Sequence, residues 1–205
     1  NRTMQINGRT IGLSERPYLI AEMSGNHNHS LDRALEIVTS AAEHGADAIK
    51  LQTYTADTIT LDVDGPGFTI EDENSLWNGR RLHELYEEAH TPWDWHAPIM
   101  EHAKSLGIDC FSSPFDATAV DFLEGLDVPA YKIASFESID LPLIRKVAKT
   151  GKPMIISTGM ASVVEIGEAL RTCREAGNEQ VCILKCTSTY PATPENTNIR
   201  TIPNM

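Results

Sequence analysis

Three lysines stand inside apolar runs of the chain: Lys50 in AIKLQ, Lys132 in YKIAS and Lys185 in ILKCT. Side chains alternate from face to face along a strand. If Ile49 and Leu51 turn toward covering helices, Lys50 and Gln52 turn to the opposite face, and the same parity sets Lys132 against Tyr131 and Ile133. An ammonium group buried without a partner costs on the order of several kcal/mol, so three such lysines need anionic neighbours. Glu22, in LIAEM, neutralises only one of them. One reading is structural: a buried ion-pair network, or lysines displaced to strand ends where water reaches them. The other is functional: the ammonium groups converge at the C-terminal ends of the strands and bind a phosphate and a carboxylate.

Hydroxyls follow the lysines. Ser112, Ser113, Ser135, Ser157, Thr158, Thr187 and Ser188 fall at or just past the apolar runs. Any one of them reads equally as a helix cap. Set beside lysines on several strands, they form a pattern suited to phosphate oxygens. Glu22 and Glu137 lie at or just past the ends of the first and fourth runs and suit a general base or an acceptor for a sugar hydroxyl; simple pairing with Lys50 is the structural alternative for Glu22. His27 and His29 lack a spaced carboxylate partner and make a weak metal pair. Trp77, Trp93 and Trp95, with Tyr86, read as packing anchors rather than a sugar platform. Cys110, Cys173, Cys182 and Cys186 form no CxxC pair and read as free, mostly buried thiols in a reducing compartment.

The elements that must hold these groups alternate along the chain. Strand-like apolar runs are Tyr18–Ser24, Asp47–Tyr54, Asp109–Phe115, Ala130–Phe136, Met154–Met160 and Val181–Tyr190, near-continuous as expected for parallel strands covered on both faces. Between them, Leu31, Ala34, Leu35, Val38, Ala41 and Ala42 repeat at helical spacing after Ser30 and stop at Gly45. Thr91-Pro92-Trp93-Asp94 predicts an N-cap and a helix to about Gly107. Asp140 caps a helix ending near Gly151, and Ser162-Val163-Val164-Glu165 has capping-box form for a helix ending near Gly177. Asn7-Gly8 marks a hairpin before the first strand, placed to plug the bottom of a barrel. The segment from Asp62 to Asn78 reads as an extended loop after the second strand, where barrel enzymes place substrate contacts.

This order predicts an α/β fold with a parallel sheet. SGNHNHS, the first strand–helix turn, has no GxGxxG, which counts against a dinucleotide site. Six strands do not close an eight-stranded barrel. The first and sixth strands would be open apolar edges, and the proline-bearing tail is too short to shield two of them. The expectation is therefore a TIM (β/α)8-type barrel cut after about six strands, with the polypeptide continuing past Met205.

The chain has 205 residues and a formal net charge of −12. That charge argues against nucleic acid or an anionic membrane as partner while leaving room for a local basic pocket. No apolar run approaches the roughly 20 residues of a membrane helix, and the N-terminus lacks a signal-peptide pattern, so the chain reads as cytoplasmic.

YLIAEMSGNHNHSLDRAL, GADAIKLQTYTADTITL, CFSSPF, PAYKIASFE, KPMIISTGMAS and LKCTSTYP resemble, in order, the strand motifs of the sialic acid synthase family. The likeness covers nearly the whole chain from about Ile11. LWNGRRLHELYEEAHTPWDWH, ASFE and LKCTSTYP resemble the pseudaminic branch more than the N-acetylneuraminate branch. The resemblance implies a TIM barrel, across residues 1–205, and a C-terminal antifreeze-like domain that this chain lacks. It implies condensation of phosphoenolpyruvate with an N-acetylated amino sugar, with loss of phosphate. The pseudaminic branch uses a diacetamido-trideoxy-altrose. Carried over by motif, Lys50, Ser113, Lys132, Ser135, Ser157 and Ser188 hold phosphoenolpyruvate. Glu22, Glu137 and Tyr190 contact the sugar, Glu22 assisting the chemistry. Lys185 stands where the neuraminate branch has histidine, and Ser188 where it has asparagine. The resemblance also implies a divalent metal (Mn or Mg) whose histidine ligands lie in later motifs, outside this chain, and a homodimer at full length. Within the family, an N-acetylneuraminate or legionaminate synthase is the alternative, and two other readings stay open from the residues: a Schiff-base aldolase using one of the strand lysines, and a non-catalytic sugar-phosphate-binding fragment.

Overall fold

The computed structural model describes residues 3–73, 75–188 and 192–205. It opens with an antiparallel hairpin, β1 (Met4–Ile6) and β2 (Arg9–Ile11), in which Met4 pairs with Ile11 and Ile6 with Arg9. Asn7 and Gly8, both at positive φ, make the tight turn that the dipeptide predicts. Met4 and Ile6 are buried. Strand–helix alternation follows, and the chain divides into two compact units: Tyr18–Ala119, and Asn1–Pro17 with Val120–Met205.

In the unit Tyr18–Ala119, three parallel strands lie in sequence order: β3 (Ile20–Glu22), β4 (Ala48–Thr53) and β5 (Asp109–Pro114). Helix α1 (Leu31–Glu43) is capped by Ser30, whose Oγ accepts from the Arg33 N–H at 3.3 Å, and ends before Gly45 at φ +88°. Past β4 come a short α2 (Ala56–Ile59) and α3 (Leu82–Ala89). The stretch from Asp62 to Asn78 between them is irregular, as expected. Then comes α4 (His96–Ser105). Ala34 and Val38 of α1, Ile49 and Leu51 of β4, Ile99 and Ala103 of α4, Met23 and Cys110 form one buried cluster. That cluster takes one face of β4 and leaves Lys50 and Gln52 on the other, as the alternation predicts.

The predicted N-cap at Thr91 is not used as one. A 3-10 turn occupies Trp93–Trp95, α4 starts at His96, and the Thr91 hydroxyl bonds His27 instead. Pro92 at an extended ψ of 138° delays the helix by one turn.

In the other unit, β6 (Tyr131–Ile133), β7 (Met154–Ser157) and β8 (Val181–Leu184) are again parallel and in sequence order. Helix α5 (Ala117–Gly125) precedes β6. Asp140 Oδ1 accepts from the Leu143 N–H at 3.1 Å and starts α6 (Leu141–Ala148). Ser162 and Glu165 close a reciprocal capping box on α7 (Val163–Glu175), which ends before Gly177 at φ +84°. Tyr131, Ile133, Met154 and Ile156 are buried with Ile144, Val147 and Cys173 of the helices. Each strand ends before its apolar run does: β4 and β5 by one residue, with Thr53, Ser112 and Ser113 still in the ladder, and β6 at Ile133, before Ser135. Among the described residues no helix is long and apolar enough to cross a membrane.

Candidate active site

The polar ends of β6 and β7 meet in one cluster. Lys132 is only 7% exposed, and its Nζ donates to Ser157 Oγ at 2.6 Å and to the Ile133 carbonyl at 3.1 Å. Tyr131 and Ile133, fully buried on the opposite face, hold the lysine in this direction. Beyond β6 a 3-10 turn, Ser135–Ile139, carries Ser135 and Glu137. Beyond β7 the chain passes Gly159. A Cβ built there would lie 2.6 Å from Ser188 Oγ, 2.8 Å from Ser135 Oγ and 3.3 Å from the Cys186 Cβ. Two hydroxyls therefore close over Gly159, and only glycine leaves them room. This residue escapes a sequence search for polar groups; its signal is the absence of a side chain within STGM, between two hydroxyl-bearing turns.

Glu137 is half-buried, and its Oε2 makes no hydrogen bond although it is shielded from solvent. Burial pushes its pKa above the usual carboxylate range, and repulsion from Asp140 adds to this. The bond from its own backbone N–H and the attraction of Lys132 oppose it. Lys132, Ser135, Glu137, Ser157 and Ser188 are thus brought together within one unit. Lys185 and Thr158 make other bonds. Lys185 lies just past β8, where its Nζ donates to the Cys186 carbonyl at 2.6 Å; it is a strand-end lysine, not a strand-interior one. Thr158 Oγ1 donates to the Leu184 carbonyl at 2.8 Å and serves the sheet edge. Tyr190 lies outside the described residues.

In the unit Tyr18–Ala119, Glu22 and Lys50 sit opposite one another in register, and Lys50 Nζ is paired with Glu22 Oε2. The lysine side chain is 14% exposed and the glutamate 37%. Glu22 Oε1 accepts from the Ser24 N–H at 3.1 Å and from Ser24 Oγ at 3.3 Å. Gln52 pairs with Ser113 in the ladder, and the buried Ser113 Oγ has no hydrogen-bond partner. Ser112 points the other way. Its hydroxyl donates to Thr53 Oγ1 at 2.6 Å, Thr53 donates to His96 Nε2 at 2.9 Å, and His96 Nδ1–H donates to the Pro92 carbonyl at 3.2 Å. This directed chain is structural, and it removes Ser112 from the anion-binding set. Burial lowers the His96 pKa to about 4.

His27 is fully buried, with Nδ1 accepting from the His29 N–H at 3.0 Å and Nε2–H donating to Thr91 Oγ1 at 3.0 Å. Both ring nitrogens are committed. Trp95 packs edge-on against His27 and joins the core; Trp93 Nε1 donates to the Tyr54 carbonyl at 3.2 Å. Trp77 is 53% exposed and does not anchor packing, contrary to expectation. The four cysteines are free; burial raises Cys110 to about 12 and Cys173 to about 11, so neither is a thiolate nucleophile at neutral pH. Among the described residues no three His, Cys, Asp or Glu side chains gather as a metal site.

Parallel strands that end in lysines, hydroxyls and carboxylates are an arrangement suited to an anionic ligand. The chain belongs to the NeuB family, whose model matches residues 37–205. The pseudaminic acid synthase of Campylobacter jejuni is 46% identical over 191 residues, which cover 93% of this chain and 55% of the relative. The N-acetylneuraminic acid synthetase of Leptospira borgpetersenii, solved with citrate, superposes with a TM-score of 0.85 at 26% identity over 99% of this chain and 65% of that one. The spore coat polysaccharide biosynthesis protein SpsE of Bacillus subtilis gives 0.82 at 33% identity, over 99% and 53%. The fold is α/β of TIM-barrel type, preceded by the hairpin. The chain spans about half the length of the curated relatives it matches.

Proposed function

We propose that this protein is a nonulosonic acid synthase of the pseudaminic type, joining phosphoenolpyruvate to a diacetamido-trideoxy-altrose and releasing phosphate. The observation that carries the reading is the buried Lys132–Ser157 pair with Ser135 and Ser188 closing over Gly159. A buried ammonium flanked by hydroxyls suits a phosphate or carboxylate. The pseudaminic choice rests on 46% identity to a pseudaminic acid synthase against 34% to a diacetyllegionaminic acid synthase and 31% to an N-acetylneuraminate-9-phosphate synthase.

In this reaction C3 of phosphoenolpyruvate forms a bond to the sugar aldehyde carbon, and the aldehyde oxygen takes up a proton. Water adds at C2, loses a proton, and phosphate departs. Lys132, Ser135, Ser157 and Ser188 bind and orient phosphoenolpyruvate, and Lys50 and Ser113 contact the same ligand class. Glu137 contacts the sugar, and burial raises its pKa, the direction a proton donor needs. Glu22 and Tyr190 also contact the sugar, Glu22 accepting a hydrogen bond from one of its hydroxyls and assisting the chemistry.

Incubation with phosphoenolpyruvate and each sugar, followed by phosphate release and product mass, tests the reading. The expected result is at least roughly tenfold higher kcat/KM for the diacetamido-trideoxy sugar than for an N-acetylhexosamine with its full set of hydroxyls, the scale of one lost or mismatched polar contact. A reversed preference would assign the protein to another branch. Borohydride trapping of a carbonyl substrate on a lysine would replace the synthase reading with the Schiff-base aldolase.

A further inference from the structure

We propose that Ser24 is a positioning residue: it fixes the Glu22 carboxylate at the end of β3, and its strained backbone is maintained for that purpose. The inference rests on the synthase reading for its catalytic meaning, but its geometry stands on its own.

Ser24 has φ +49°. This left-handed region crowds the Cβ of any L-residue, and serine is not among the types that enter it readily. Asn28 and His29 adopt it too, at +49° and +52°, but asparagine and histidine visit it more often. Such a conformation persists only where the surroundings over-determine it. Here the alternate residues do so. Met23 is fully buried in the core. Gly25 lies against α3 so closely that an added Cβ would meet the Ala89 carbonyl at 3.0 Å and its Cβ at 3.2 Å. His27 is locked between Thr91, the His29 N–H and Trp95. With residues 23, 25 and 27 pinned, Ser24 is turned so that both its N–H and its hydroxyl reach back to Glu22 Oε1. Lys50 takes the other oxygen.

The result is a carboxylate held at both oxygens by three donors, although it is more than a third exposed. An exposed glutamate left to itself samples many rotamers. Ser24 and Lys50 remove that freedom before substrate arrives, which is the arrangement a group in the reaction needs. A merely structural serine would not justify a left-handed backbone for a bond to a half-exposed side chain.

Two variants separate hydroxyl from backbone. Ser24→Ala keeps the strained residue and removes the hydroxyl; Ser24→Gly removes the hydroxyl and relieves the strain. The first measurement is a urea-unfolding cycle of Ser24→Ala with Glu22→Ala. Ser24→Ala should lower the folding equilibrium constant roughly threefold to tenfold when Glu22 is present and leave it unchanged when Glu22 is absent. The second is steady-state kinetics. Both serine variants should lose roughly tenfold in kcat/KM for the sugar, with KM for phosphoenolpyruvate within about twofold of the parent. Ser24→Gly should be the more stable of the two despite sharing the kinetic loss. Additive stabilities in the cycle, unchanged sugar kinetics, or a loss confined to phosphoenolpyruvate would each overturn the proposal. If the parent releases no phosphate from phosphoenolpyruvate with any sugar, the synthase reading fails, and the unfolding cycle alone decides whether Ser24 holds Glu22.

Discussion

Lys132 was legible because a lysine between Tyr131 and Ile133 violates the apolar run around it, and burial of both neighbours makes the violation expensive. Its partner Ser157 was legible only as one hydroxyl among several. Parity separated the useful hydroxyls from the structural ones only in the folded chain, where Ser112 joins Thr53 and His96. Gly159 was invisible to a search for reactive groups. Replacing Lys132 with Ala should reduce phosphoenolpyruvate affinity by roughly 10- to 150-fold, since a charge-assisted contact contributes about 1.5–3 kcal/mol, with little loss of unfolding free energy because a buried charge goes too. Calorimetric binding and urea unfolding of the same variant check both halves; a variant that unfolds readily yet binds normally would make Lys132 structural. Glu137→Gln should move the two properties in opposite directions. A carboxyl whose folded pKa is raised loses its proton first in the unfolded chain, so it subtracts stability as pH rises from about 4.5 through its folded value. The amide variant should therefore melt higher at pH 7 while turning over more slowly, measured by thermal scanning beside phosphate release.

At the scale of elements, helix starts were read well where a side chain caps them: Ser30, Asp140 and the Ser162–Glu165 box all act as their sequences suggest. Ser162→Ala should cost about 1 kcal/mol by urea unfolding, from loss of the Glu165 N–H bond. Thr91 misled because the tertiary structure gave its hydroxyl to a histidine 64 positions away, which no local rule foresees. The ends of β6 and β8 misled because residues 134–136 and the residues after Leu184 look, in sequence, like a continuation of the strand. The α4 start carries a pH dependence. His96 titrates near 6.5 unfolded and at about 4 folded, so the unfolded chain takes its proton first as pH falls. Its contribution, roughly 3 kcal/mol at ~1.4 kcal/mol per pKa unit, is present above pH 6.5 and is lost as pH approaches 4. His27, lowered by burial and by repulsion from His29 and His90, acts in the same direction; Glu137 acts in the opposite one. Unfolding midpoints at pH 7 and pH 4.5 should fall with acidity, and His96→Asn should flatten the difference.

For the whole molecule, strand–helix alternation and the motif series sufficed to place the chain in its family and fold, because regular alternation with parallel strands leaves few topologies. A net charge of −12 argues against polyanionic partners but says nothing of a local group such as the buried Lys132 with Ser157. What sequence could not give was grouping: which polar residues share a unit and which hydroxyls face one another. The claim at the centre of this account is that Lys132, Ser135, Ser157 and Ser188, arranged around Gly159, bind phosphoenolpyruvate. Amide-resolved NMR of this chain titrated with phosphoenolpyruvate tests it most directly. Saturable shifts centred on the Ser135 turn, the Ser157–Gly159 segment and Ser188, abolished in Lys132→Ala, are the predicted result. Saturable shifts elsewhere, or the same shifts persisting without Lys132, would contradict it.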